Sequence, residues 1–378
     1  CISSAASDVY KRQMRSGQFD IDYAKQVTKL ADYSGVAITV SNDYEINDTA
    51  KQTYLTNVLQ SYGADAYKQV TDRDTVADGD YVKVDYTGYK DGKAFDGGSA
   101  TDVMLDVTNN SQVGGSSFID GFTKPIIGAK VGDKVKGDVT FPEDYGNDDL
   151  NGQTVTFEYT VKGIYSADPV ALADMTDEQV NTVFGKAGVT TNAQLTTQIE
   201  KDLKQQLYSA EVDKIKSYMI ENSTVEIPDE YLQSRLNEYI ASFTKENVKD
   251  GQTLKKYLKS NYNMTVDQAT EKWKENLTDQ IKTEFIFGLI AEKENIKMDD
   301  DAFNSYVDYI VSASNGQFSK ASEVYKYFGS GHKDEGKTYL KNQYLVNKAI
   351  DTVTEKANVT FEDGSAAPDT SSGSADAE

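Results

Sequence analysis

Residues 79–98 read GDYVKVDYTGYKDGKAFDGG. Val82, Val84 and Tyr86 alternate with Lys83 and Asp85, the period of two that belongs to a half-buried strand. Asp91-Gly92 is a two-residue hairpin turn, because glycine tolerates the positive φ such a turn requires. The second arm ends in Phe95-Asp96-Gly97-Gly98, an aromatic directly before an acid. No nucleophile stands beside a base in this stretch.

Downstream of the hairpin the same period continues. TDVMLDV (101–107) reads as a strand. FIDGFTKPIIGAKVGD (118–133) reads as a strand end, a short helix from about Phe122 to Ile127, and a turn. KVKGDVTF (134–141) alternates through Val135, Val139 and Phe141. After the polar loop PEDYGNDDLNG (142–152), TVTFEYTVKGI (154–164) puts Val155, Phe157, Tyr159 and Val161 on one face. Residues 76–165 therefore read as an antiparallel sheet with one short helix.

The flanks have other periods. Residues 1–35 read as a polar tether, partly helical around Asp22 to Leu30. Residues 36–75 hold a short β run, GVAITV (35–40), and then a helix, a segment expected to pack with the helical domain. Asn47 or Asp48 caps that helix, Gly63 suits its C-terminal end, and Ala50, Tyr54, Val58 and Tyr62 form its stripe. Residues 166–363 are helical. Leu195, Ile199, Leu203, Leu207, Val212, Ile215 and Met219 make one stripe; Leu232, Leu236, Tyr239 and Phe243 a second. Val266, Trp273, Leu277, Ile281, Phe285 and Leu289 make a third, and Phe303, Tyr306, Val307 and Ile310 a fourth. A last helix is expected over 337–356. Residues 364–378 are low in hydrophobes and read as a disordered tail.

Composition removes several classes of function. The 378 residues carry 61 acidic against 39 basic side chains, a net charge of -22 that counts against nucleic-acid binding. One cysteine and one histidine leave no intrachain disulfide and no Cys/His zinc site, and count against a nucleophile–histidine triad. His332, in GSGHKDEG, reads as a surface residue. The glycines form no phosphate loop, and Asn147 to Asp149 lack calcium-loop spacing, so no cofactor or metal is expected. No apolar run of about 18 residues is present. Cys1, followed by ISSAASD, resembles the first residue of a mature bacterial lipoprotein. That resemblance implies a lipidated sulfur, each buried CH₂ adding about 0.8 kcal/mol to membrane binding, and a place on the outer face of the cytoplasmic membrane. The plain alternative is a cysteine that happens to lie there.

The sheet block resembles the FKBP-type peptidyl-prolyl isomerases through GDYVKVDYTGYKDGKAFDGG, FIDGF, VGDKVKGDVTFPEDYG and TVTFEYTV, in family order. The form is most similar to the domain in trigger factor. DYSGVAITV (32–40) before it, and the helical region after it with VEIPDEYL (225–232), follow trigger factor's order of segments. Trigger factor's ribosome-docking segment is not recognisable, so the ribosome is not an expected partner.

The resemblance implies an α+β chain: an FKBP-like antiparallel half-barrel with one short helix, plus a large all-α chaperone domain. It implies a peptidyl-prolyl isomerase and chaperone for proline-containing unfolded or nascent secreted polypeptides. It also assigns roles. Tyr86 lines the pocket, Phe95 is a wall, and Asp96 is a polar orienter. Ile119 offers a backbone N–H with Phe118 beside it on the rim, Phe122 is the floor, Tyr145 donates to the substrate carbonyl and Phe157 closes the back. Val103 and Leu105 stand where relatives are often aromatic, and Leu150 is what remains of an apolar loop tip. VTNNSQVGG (107–115) lengthens the loop before Phe118. Val103 and Phe122 thin the aromatic cage. For each aromatic the alternative is core packing. For the chain the alternatives are a non-catalytic holdase that binds unfolded clients, and a surface adhesin or solute-binding lipoprotein.

Overall fold

The computed structural model describes residues 15–62, 66–168, 170–249 and 251–370. The elements run α1 (Tyr23–Gln26), β1 (Val27–Lys29), β2 (Ala37–Val40), α2 (Asp48–Leu59), β3 (Asp80–Lys90), β4 (Lys93–Asp106), β5 (Ser111–Gln112), β6 (Lys134–Thr140) and β7 (Thr154–Ser166). They continue α3 (Asp177–Phe184), α4 (Asn192–Asn222), β8 (Thr224–Val225), α5 (Asp229–Asn247), α6 (Leu254–Tyr262), α7 (Val266–Lys293), α8 (Asp300–Ala313), α9 (Ala321–Phe328), α10 (Lys333–Glu355) and β9 (Asn358–Phe361). The chain divides into two compact units. One is residues 46–203; the other joins residues 15–45 to 204–370.

In the first unit the sheet order is β5-β4-β3-β7-β6, every neighbour antiparallel. Asp91 (φ 51) and Gly92 (φ 75) close the β3–β4 hairpin with the two positive φ values its turn demands. One sheet face buries Val82, Val84, Leu105, Val139, Phe157, Tyr159 and Val161 against Ile126. The helix expected over 122–127 is a single 3₁₀ turn, Lys124–Ile126. Pro125 has no N–H to extend it, and Gly128 (φ 85) ends it in a left-handed conformation.

Residues 46–75 and 166–203 were expected to belong with the helical domain. They fold instead with the sheet. Strand side chains alternate between faces, so Met104 leaves the core that Leu105 enters. It joins a second core with Leu55 and Leu59 of α2, Val180 and Phe184 of α3, and Leu195 and Ile199 of α4. Val113, from the long loop after β4, enters the same core. Its neighbour Gly114 (φ 69) lies so close to α2 that a Cβ there would stand 2.2 Å from the Gln60 carbonyl oxygen.

The second unit is built around α7. Its run Phe285-Ile286-Phe287-Gly288-Leu289-Ile290 is buried on every side, as expected of a helix with no solvent face. Ile215 and Met219 of α4, Tyr231 of α5, and Val346, Ala349, Ile350 and Val353 of α10 surround it. Residues 15–35 are not a tether. Val27, Ala31, Val36 and Ile38 are buried in this core, β1 pairs with β8, and Gly288 lets the Tyr23 ring lie against α7. Cys1 lies outside the described residues. β2 pairs in parallel with β9, joining segments from opposite ends of the chain. The tail is ordered as far as residue 370: Ala367 N–H donates to the Val359 carbonyl at 3.0 Å and the Thr370 hydroxyl to the Glu211 carboxylate at 2.5 Å. Main-chain and side-chain hydrogen bonds hold this stretch, which hydrophobicity alone does not reveal. Residues 371–378 lie outside the described set.

Candidate functional site

Eight aromatic rings meet where β3, β4 and β7 approach the loops around residues 118–122 and 141–145. Tyr86 stands edge-on to Phe122 at 5.0 Å, Phe157 at 6.0 Å and Phe118 at 6.2 Å. Phe95 lies 6.0 Å from Phe157 and 6.2 Å from Phe141, and Phe122 lies 4.9 Å from Phe157 and 5.4 Å from Tyr159. Tyr145 joins through Phe141 at 4.5 Å. These are the separations and tilts that ring quadrupoles favour.

Strand register explains the convergence. β3 and β7 pair so that Tyr86 faces Tyr159 and Gly88 faces Phe157. A Cβ on Gly88 would lie 2.6 Å from the Phe95 ring and 2.7 Å from the Phe157 ring. A Cβ on Gly98 would again lie 2.6 Å from the Phe95 ring. The glycines of YTG and FDGG are therefore the space into which Phe95 settles.

The floor is held by a hydrogen bond. Tyr159 Oη donates to the Phe122 carbonyl at 2.6 Å. Burial raises the Tyr159 hydroxyl far above the usual tyrosine range, so it remains a donor. Burial among the rings also raises the Tyr86 hydroxyl, with the nearby Tyr145 adding to the effect.

Asn110 (φ 49) holds the rim. Its Nδ2 donates to the carbonyls of Phe118 at 3.1 Å and Ile119 at 2.9 Å. Its Oδ1 accepts from Thr123 N–H at 2.9 Å and from the Thr123 hydroxyl at 3.2 Å. Phe118 N–H donates back to the Asn110 carbonyl at 2.9 Å. The backbone of 118–123 is thus pinned, while the Ile119 N–H makes no hydrogen bond among the described residues. A fixed donor with a free hydrogen beside an aromatic cluster can take a carbonyl oxygen.

Of the residues singled out in the sequence, Tyr86, Phe95, Phe118, Ile119, Phe122 and Phe157 come together in one cluster, with Val103 packed against its core. Tyr145 is 48% exposed at the edge, and Asp96 is exposed beside Phe95. Two assignments need correction. Leu105 is fully buried beneath the sheet and offers no surface to a substrate. Leu150 is not a loop tip. The turn closed by Leu150 N–H to the Asn147 carbonyl and Gln153 N–H to the Leu150 carbonyl, both 2.9 Å, folds its side chain into the core. Phe141, Tyr159 and Asn110 went unassigned. Tyr159 shared its alternation with Phe157, which was a usable signal. Nothing local marked Asn110, whose partners lie 8 to 13 residues further on.

No cluster of three or more His, Cys, Asp or Glu side chains able to hold a metal occurs among the described residues, nor any helix long and apolar enough to cross a membrane. The helical unit carries a second aromatic series. Trp273 lies 4.9 Å from Phe243 and 5.5 Å from Tyr239; Phe243 lies 6.0 Å from Tyr257, which lies 6.1 Å from Tyr262. Tyr239 and Tyr262 are 40% and 54% exposed, so this series is not sealed in a core.

Two parts of the chain match known families. Residues 73–162 match the FKBP-type peptidyl-prolyl cis-trans isomerase family, and residues 190–355 match the C-terminus of bacterial trigger factor. The trigger factor of Agathobacter rectalis is 28% identical over 330 residues, covering 86% of this chain and 69% of the relative. That of Acetivibrio thermocellus is 26% identical over 339 residues, covering 89% and 74%. A solved structure of a trigger factor chaperone, described through promiscuous substrate recognition in folding and assembly, aligns over 86% of this chain at 17% identity and a TM-score of 0.44. The chain is thus trigger-factor-like, with an FKBP-type domain followed by a trigger-factor C-terminal region.

Proposed function

We propose that this trigger-factor-like chain isomerises X–Pro peptide bonds at the aromatic cluster and holds non-native polypeptides on its helical unit. The observation that carries the first part is the pairing of Tyr86, Phe95, Phe122 and Phe157 with the free Ile119 N–H. Rotation about an X–Pro bond meets a barrier of about 18–20 kcal/mol from amide resonance and breaks no bond. Acceleration therefore requires binding the twisted amide better than the planar one. Twisting localises the nitrogen lone pair and makes the amide less dipolar, which a dry wall of rings favours. The Ile119 N–H, held by Asn110, fixes a substrate carbonyl while the prolyl side turns. Tyr145, at the exposed edge, supplies a second donor. No general base is needed.

The test is a protease-coupled assay on an X–Pro peptide. Tyr145→Phe and Phe95→Ala should each lower kcat/KM by roughly 10-fold, the effect of about 1.4 kcal/mol. A wild-type chain without activity overturns the catalytic reading. One feature favours binding without turnover: Val103 and Phe122 stand where many relatives carry larger rings, which thins the cage. Suppression of client aggregation without isomerase activity would select that reading. The chaperone part rests on the exposed Tyr239–Tyr262 series. The proposal extends to clients that fold outside the cytoplasmic membrane, tested by whether labelled palmitate enters the wild-type chain and fails to enter Cys1→Ser.

A further inference from the structure

Within the aromatic cluster one contact differs from the rest. Phe118 lies flat on Phe122, with centroids 4.2 Å apart and planes inclined by 13°, whereas Tyr86, Phe157 and Tyr159 meet Phe122 edge-on. Phe122 is only 2% exposed, and Phe118 above it is half-buried. A floor that receives a prolyl ring needs an open face. Here one face of the Phe122 ring is taken by a ring of the chain itself.

The surroundings let the ring move while the backbone stays. Phe118 N–H and C=O are both tied to Asn110, and the Ile119 carbonyl is tied to the same side chain. The 3₁₀ turn that follows is anchored by Thr123 on Asn110 and on the Val107 carbonyl. The freedom left to Phe118 is rotation about its own side-chain bonds, into solvent on its exposed side. The Ile119 N–H keeps its position through that rotation.

We propose that Phe118 is a gate residue that determines access to the site: its ring occupies the place of the substrate's prolyl ring and swings out to admit it. This rests on the isomerase reading above. The apparent affinity for a proline peptide is then the intrinsic affinity reduced by the fraction of molecules with the gate open. A stacked ring pair is strong enough to hold the gate shut most of the time, so removing the ring lowers KM by roughly threefold to tenfold. kcat, set by the walls and the donors, changes little.

The experiment measures KM and kcat of the full chain on an X–Pro peptide for wild type, Phe118→Ala, Phe118→Val and Phe118→Tyr. The expected result is a lower KM in the Ala and Val variants and a wild-type KM in the Tyr variant, which keeps the ring. Val guards against the Ala variant failing to fold, since it retains apolar bulk but is too short to cover Phe122. An active wild type whose KM is unmoved or raised by Ala and Val overturns the gate alone. A chain inactive in wild type and in every variant overturns the isomerase reading and the gate with it.

Discussion

Gly88→Ala adds a single carbon to β3. Placed on the backbone, it falls 2.6 Å from Phe95 Cε1 and 2.7 Å from Phe157 Cε1. Carbon pairs rest at about 3.5–4.0 Å, so the rings must yield by about 1 Å. Phe157 is buried against Phe122 and has nowhere to go. Phe95 is half-buried and must move outward. Gly88 is not among the positive-φ glycines, so the strain is all in this contact. Overpacking of this kind costs about 1–3 kcal/mol, against about 0.4–1 kcal/mol returned by stiffening the unfolded chain. The net loss is about 1–2 kcal/mol, or roughly a tenfold fall in protection. Amide hydrogen exchange of β3 and β7 in the full chain reads it, because the two units need not unfold together. Putting Phe95→Ala behind Gly88→Ala removes one of the two clashes, so the glycine substitution should then cost about 1 kcal/mol less. Unchanged or increased protection in Gly88→Ala, or strict additivity with Phe95→Ala, refutes the claim that the glycine exists to seat the ring.

Three other perturbations probe other parts of the chain. Arg235 and Glu284 form a buried two-pronged pair at 2.8 and 3.0 Å, so Arg235→Ala should cost about 3–5 kcal/mol by stranding the carboxylate. Arg235→Met with Glu284→Leu should recover most of that loss in denaturant melts. Tyr159→Phe leaves the Phe122 carbonyl unpaired in the core and should cost the sheet unit about 1–3 kcal/mol by hydrogen exchange. Burial, reinforced by the Asp369 charge, raises the Glu211 carboxyl above its ordinary value of 4.5, outweighing the opposite effect of the Thr370 hydrogen bond. The folded state then binds the extra proton, so this group's stabilisation is present below 4.5, falls as pH rises through the raised value, and levels off above it. Proteolytic release of residues 365–370 should rise across that window in wild type and stay flat in Glu211→Gln.

Much of the sheet could be read directly, because local rules govern it. Period-two alternation located β3, β6 and β7, and the paired positive φ of Asp91-Gly92 could be anticipated from two letters. The long stripes of α4, α7 and α8 were equally visible, since a helix buries its own face at 3.6 spacing, whereas α2 buries Leu55 and Leu59 and leaves Tyr62 exposed. Tyr86, Phe95, Phe122 and Phe157 were found through the motifs of the family resemblance, and glycines 88 and 98 of the first motif are the space that Phe95 and Phe157 need.

What the sequence did not show depends on contacts between distant segments. Met104 and Leu105 look alike as letters, yet one supplies the core shared with α2 and α3 and the other the core beneath the rings. Residues 15–35 look polar and join the core of the helical unit because α7 offers an apolar surface on every side. Leu150 turns inward through a tight turn, and Asn110 takes five polar contacts only after the loop has closed on it. The sequence by itself determined the strands that carry Tyr86 and Phe157, because strand period is local, and its resemblance to the FKBP-type family pointed to the grouping of the rings. Tertiary structure alone decided that Phe118 lies across its floor, because stacking depends on where two loops meet.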